Sequence, residues 1–80
     1  MSNNYTLHED AWYSDEEIRP GRQIIGYRVA GMPDGKWARI ANWRAPYGND
    51  WQVVQISADN KASEWTGHYE SAKDALADLP

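Results

Sequence analysis

The chain has no cysteine and no phenylalanine, and only two histidines and two methionines. Without Cys there is neither a disulfide framework nor a thiolate metal site. With only His8 and His68 as imidazole bases and no thiol, nucleophilic chemistry would have to rest on a hydroxyl beside a histidine. Ser71 follows His68 closely, but it already has a role as a helix cap, and no third orienting group accompanies the pair. Carboxylate pairs such as Asp15/Glu17 or Glu9/Asp10 have acid–base chemistry available to them. An active site, however, needs a concave, partly dry pocket, which a domain this small seldom builds. His8, Glu9 and Asp10 are adjacent but lack the spacing of a metal loop. Asp59-Asn60-Lys61 lacks the sharp-turn glycine and the terminal bidentate Glu of a calcium loop. The expectation is therefore a protein that is not an enzyme and uses no metal or cofactor. No apolar run approaches the roughly 18 residues of a membrane span. The opening MSNNYTLHED has neither a basic nor an apolar signal region, so a cytoplasmic location is expected.

What is present is aromatic and charged. Five Trp and five Tyr carry the aromatic mass of the 80 residues. Each brings a polar atom that must be paired or left wet. A chain of this length makes one domain, residues 1–80, with a thin core in which every large side chain counts. Residues 1–4 are polar and expected to fray.

The net charge of −4 is unevenly spread. Residues 1–17 contain Glu9, Asp10, Asp15, Glu16 and Glu17 and no Lys or Arg. Residues 18–44 contain Arg19, Arg22, Arg28, Lys36, Arg39 and Arg44 against the single acid Asp34. Residues 45–80 are acidic again, with Asp50, Asp59, Glu64, Glu70, Asp74 and Asp78 against Lys61 and Lys73. Once folded, such a chain either neutralises itself or presents two faces of opposite sign.

The pattern of elements predicts an α+β domain. Ser14-Asp15-Glu16-Glu17 is a capping-box pattern, cut to a single turn by Pro20 and Gly21. Tyr5–His8 reads as a short strand, and Gln23–Ala30 as a full one. Gly31-Met32-Pro33-Asp34-Gly35 reads as a turn. Lys36–Arg44 and Trp51–Ser57 read as two further strands around the turn Ala45–Asp50. Asp59-Asn60-Lys61 is the next turn, and Trp65–Glu70 a last strand. Ser71 is a good N-cap, and Ala72, Ala75, Leu76 and Leu79 recur at helical spacing. Lys73, Asp74 and Asp78 would stay in water. A helix of two or three turns cannot stand alone, so it must pack on the sheet. The result is a four-stranded antiparallel meander with a C-terminal helix across one face and the N-terminal segment on an edge or the other face. Ile40, Val54 and Ile56 are expected to meet the helix, and Trp37, Trp43, Trp51 and Trp65 to collect on the opposite face.

Two surfaces stand out as candidates. Trp37, Trp43 and Trp51, with Tyr47 in the loop and Arg39 and Arg44 nearby, have the composition of a stacking platform for single-stranded nucleic acid or carbohydrate. The alternative is that a domain without Phe uses Trp as core filler. The acids form the second candidate. Glu9, Asp10, Asp15, Glu16 and Glu17 are the densest unneutralised cluster, and Glu70, Asp74 and Asp78 make a short acidic line at the closing helix. Carboxylates placed where phosphates would sit can block a nucleic-acid-binding protein, with affinity that is steered and salt-sensitive.

In the acidic opening HEDAWYSDEE, the closing ESAKDALADL and its short, cysteine-free build, the chain resembles the small phage and mobile-element inhibitors called anti-CRISPR proteins. It is most similar to those acting on type I systems, the type I-C surveillance complex among them. The resemblance implies an inhibitor that binds the Cascade complex and prevents target-DNA binding. In some members this is done by DNA mimicry. It transfers no residue role. A monomer that contacts a protein partner, with no direct nucleic acid and no membrane, is the expectation. The acids named above are the expected contacts because they are the densest acidic clusters.

Overall fold

A computed structural model describes residues 4–13, 21, 23–45 and 47–80. Five strands lie in one antiparallel sheet in the order in which they occur: β1 (Thr6–Tyr13), β2 (Gln23–Ala30), β3 (Trp37–Asn42), β4 (Trp51–Ile56) and β5 (Thr66–Tyr69). Helix α1 (Ala72–Ala77) follows and packs over β3, β4 and β5. The expected α+β meander with a closing helix is present, with one strand more. The addition is β1, which runs the whole length of β2, from Thr6↔Ala30 to Tyr13↔Gln23. Glu9 and Asp10 depress its strand propensity and hid all but its first residues. Charged residues are nonetheless well placed on an edge strand, where they discourage pairing with other chains. The capping-box segment Ser14–Glu17, with Pro20 and Arg22 of the following turn, lies outside the described residues.

The turns follow their sequences. Between β2 and β3, Asp34 (φ 60°) and Gly35 (φ 70°) both take left-handed backbone, and Lys36 N–H donates to Pro33 O. That is the geometry of a tight type I′ hairpin turn, for which Asp-Gly is a favoured pair. Between β3 and β4 one side chain organises the loop. The Asn42 amide donates to Gly48 O (2.9 Å) and Asn49 Oδ1 (3.3 Å), and its oxygen accepts from Arg44 N–H (3.1 Å) and Asp50 N–H (3.0 Å). At the next turn Asn60 (φ 65°) reverses the chain, and Ser57 holds both sides, bonding Asp59 and Lys61 O.

Register decides which residues share a face. Ile40 pairs with Val53, and Arg39 with Val54. Val53 therefore faces the helix with Ile40, while Val54 and Ile56 face the other way. This corrects the expectation that Val54 and Ile56 meet α1. The alternation along each strand was right, but β3 and β4 were matched one residue out of step, and a one-residue step exchanges faces. Trp51 moves for the same reason: it lies on the helix side, packed against the core and stacked on Tyr27 at 5.9 Å. The core is Val29, Ala38, Ile40 and Val53 beneath Ala75 and Leu79, with Tyr5, Leu7 and Leu76 packed around it. Ile40 and Val29 are its largest fully buried side chains.

Helix α1 starts where its sequence says. The Ser71 hydroxyl accepts from Asp74 N–H at 3.1 Å, satisfying one free donor of the first turn. Its apolar stripe turns Ala75 fully inward. The Tyr5 hydroxyl bonds the Pro80 carbonyl, so the start and finish of the described chain are tied together on this side.

Candidate protein-binding surface

The face opposite the helix has no second layer of backbone among the described residues. Side chains supply one. Trp12 of β1 stacks on Trp65, which precedes β5, with ring centroids 6.2 Å apart and planes 7° from parallel. Trp43 meets the same Trp65 edge-on at 5.2 Å. These contacts join the two outer strands across the strands between them, so the sheet coils toward this face. The Arg39 guanidinium lies over both the Trp12 ring (4.7 Å) and the Trp37 ring (5.1 Å), and Arg28 lies over Trp37 at 4.6 Å. Beneath this layer Ile24, Ala41, Val54 and Ile56 are buried.

Sequence inspection singled out Trp37, Trp43 and Trp51 as ligand-stacking residues. Trp51 lies on the other side of the sheet. Trp37 and Trp43 share a face with Trp12 and Trp65, all half-buried. They do not form an open coplanar pair, because Trp37 is capped by two arginines and Trp43 is set edge-on to Trp65. Trp12 was missed. Its partner lies at the far end of the chain, and no local pattern reports that contact.

The candidate acidic residues divide into separate groups. Glu9 is exposed on the helix-side face of β1. Its neighbour Asp10 is on the opposite face, where Oδ2 lies 3.6 Å from Arg39 Nε, an ion pair longer than a hydrogen bond. The other Asp10 oxygen accepts from Ala11 N–H at 2.9 Å. Asp15, Glu16 and Glu17 lie outside the described residues. Asp74 and Asp78 are exposed on α1 or its end, and Asp78 accepts from the Tyr69 hydroxyl at 2.5 Å. That carboxylate holds the Tyr69 proton in place and pushes the phenol above its ordinary value of 10.0. Gly67 makes room for this arrangement, since a Cβ there would lie 2.3 Å from the Tyr69 ring. Glu70 stands at the β5–α1 junction, in a shallow cleft of about 290 Å³ with Arg44, Asp50 and His68. Among the described residues no cation forms an ion pair with Glu9, Glu70, Asp74 or Asp78, although Lys73 is exposed on the same helix.

The cleft at Glu70 contains a close carboxylate–imidazole contact. Asp50 Oδ1 and His68 Nδ1 are 2.6 Å apart, and Gln52 donates to the other Asp50 oxygen at 3.0 Å. The hydrogen bond from His68 is the main reason that Asp50 is held below the ordinary carboxylate value of 3.8. An Asp–His pair is also how a catalytic triad orients its base. Here, among the described residues, no Ser or Thr hydroxyl bonds the His68 ring, and Ser71 is engaged at the helix N-cap. His8 instead contacts the Thr6 hydroxyl at 3.0 Å. The described residues contain no group of three or more His, Asp or Glu set to hold a metal, and no helix long and apolar enough to cross a membrane.

Charge is therefore sorted by face. The described arginines of the central strands, Arg28 and Arg39, are engaged with indoles on one side. Exposed carboxylates without cation partners stand on the other side and at its end. Comparison with protein families, with characterised proteins and with solved structures gives no match.

Proposed function

We propose that this chain is a non-enzymatic inhibitor that docks an acidic surface on the DNA-binding region of a type I CRISPR surveillance complex, Cascade, and keeps target DNA away. The observation that carries this reading is the sorting of charge. Arg28 and Arg39 lie over Trp12 and Trp37, while Glu9, Asp74 and Asp78 stand in water on the helix side with no ion-pair partner among the described residues. Carboxylates left free in this way retain their field, and a basic groove built for phosphates is the surface that such a field attracts. Each exposed charge contributes little alone, roughly 0.2–1 kcal/mol for a surface pair. Affinity has to come from several acids together, with a steep dependence on salt. The inhibitor acts as a monomer in the cytoplasm of the host bacterial cell and uses no cofactor.

The stacking reading has less support. Binding a base or a sugar on Trp37 would displace Arg28 or Arg39 from the ring, and the rings of Trp12 and Trp65 already occupy one another. The test is a pull-down of purified type I-C Cascade, with a target-DNA competition arm. The expected result is association at low salt that weakens as salt rises and is lost when DNA is bound first. No association at low salt sinks the proposal.

A further inference from the structure

The helix covers only part of its face of the sheet. Over β1 and β2, beyond Val29, no described element packs on that face. Ile25 is 68% exposed there, and apart from Tyr47 it is the one exposed large apolar residue among those described. It belongs to a cleft of about 380 Å³ lined chiefly by Glu9, Asp10, Ala11, Ile25, Tyr27 and Trp51. The floor is apolar and firm, since Tyr27 stacks on Trp51 and Trp51 packs against the core. Glu9 is the charged side chain on this face, since the Asp10 carboxylate lies on the other face beside Arg39, and β1 is the outer strand of the sheet.

We infer that this shelf is a docking site for an extended protein segment that carries an apolar side chain beside a lysine or arginine. The inference rests on the reading above that the partner is a basic protein, and it names a second contact for that partner. The apolar residue covers Ile25 beside Trp51, a flanking cation meets Glu9, and the segment lies along β1, the outer strand. Charge decides among the occupants. A nucleic acid would set phosphates against the Glu9 carboxylate with no cation on the shelf to receive them. A second copy, paired antiparallel through β1, would place the Glu9–Asp10 stretch against itself, and like charges directly opposite are destabilising. A basic segment meets neither obstacle and removes Ile25 from water.

The test uses a blocked peptide of alternating Lys and Leu, titrated into the full chain and followed by NMR at the Ile25 methyl and Trp51 indole N–H signals. Peptides of alternating Glu and Leu and of alternating Ser and Leu serve as controls. The expected result is a saturable shift of both signals with the Lys peptide, weaker with Ser and absent with Glu, while the Trp12 and Trp65 indoles stay still. Glu9→Lys and Ile25→Asp, both surface changes, each weaken the Lys peptide by about tenfold, the scale of an interface anchor. Three results would overturn the inference. One is no saturable shift up to about 1 mM peptide, the weak end of measurable affinity. Another is equal binding of the Glu peptide. The third is movement of Ile25 and Trp51 with protein concentration alone, which would assign the shelf to a second copy. The peptide is used without Cascade. Retained Cascade binding with no peptide shift therefore removes the shelf alone, and the reverse removes the acidic docking alone.

Discussion

On the helix side, the sheet is closed by aliphatic carbon: Val29, Ala38, Ile40 and Val53 under Ala75 and Leu79. On the other side, it is closed by indoles and guanidinium groups, with Arg39 lying over Trp12 and Trp37 and Trp65 stacked on Trp12. The first closure is non-directional and gains from area removed from water. The second needs ring faces, edges and cations in fixed relation, and it remains half exposed. The difference matters for function because it holds Arg39, half-buried, and Arg28, still exposed, against indoles on one side of the sheet. Glu9, Asp74 and Asp78 then face water without an ion pair among the described residues, with Lys73 the exposed cation on the same helix. A chain of modest net charge can thus present a much more acidic side than its composition suggests.

The comparison can be broken at either closure. Ile40→Ala has the largest expected effect. It removes the biggest fully buried side chain between α1 and the sheet, at a cost of about 3–4 kcal/mol, a large fraction of a small domain's stability. Urea unfolding followed by far-UV circular dichroism measures it, and a loss below about 1 kcal/mol would mean that the helix side is not the main core. Arg39→Met is next. It keeps the chain length but removes the cation from two indoles and from Asp10, and should cost about 1–2 kcal/mol. The same unfolding experiment should show it, together with a changed near-UV signal from Trp12 and Trp65. An unchanged midpoint would make the aromatic layer an incidental surface. That outcome would return Trp37 and Trp43 to the role of ligand platform.

The smallest effect belongs to the Asp50–His68 contact, which neither closure includes. Because Asp50 titrates below its ordinary value of 3.8 in the folded chain, the contact's contribution is present above that value. It is lost as the pH falls through the lowered one. Thermal melts of the native chain and His68→Ala should differ slightly near neutral pH and converge in acid. A gap that widens below pH 3.8 would contradict the assignment.

How far these features were legible depends on the distance over which each is determined. Ser71 with its apolar stripe, and Pro33-Asp34-Gly35 between two strands, are local, and both could be read directly. So could the alternation within β3 and within β4. The match between strands could not, because it is set by the loop that joins them. That loop is fixed by the Asn42 amide reaching Gly48, Asn49 and the Asp50 N–H, a role that nothing about an Asn in a strand announces. Val54 and Trp51 were assigned to the wrong faces for this reason. β1 was cut short because Glu9 and Asp10 suit an edge strand but not an average one. The acids were legible as a composition. Their division was not: Asp10 turns inward to Arg39, and Asp74 and Asp78 stay outside.

The central claim is this division of labour, in which the aromatic–arginine side maintains the fold and the acidic side binds. It is tested most directly by measuring affinity for purified type I-C Cascade and urea stability on the same three proteins: the native chain, Asp74→Lys/Asp78→Lys and Arg39→Met. The predicted result is that the double charge reversal weakens binding by more than about tenfold, with a stability loss of only about 1 kcal/mol from the Tyr69–Asp78 hydrogen bond and the acidic first turn. Arg39→Met should lose stability while its folded fraction binds as the native chain does. The opposite pattern, with binding lost in Arg39→Met and retained in the double reversal, would contradict the account.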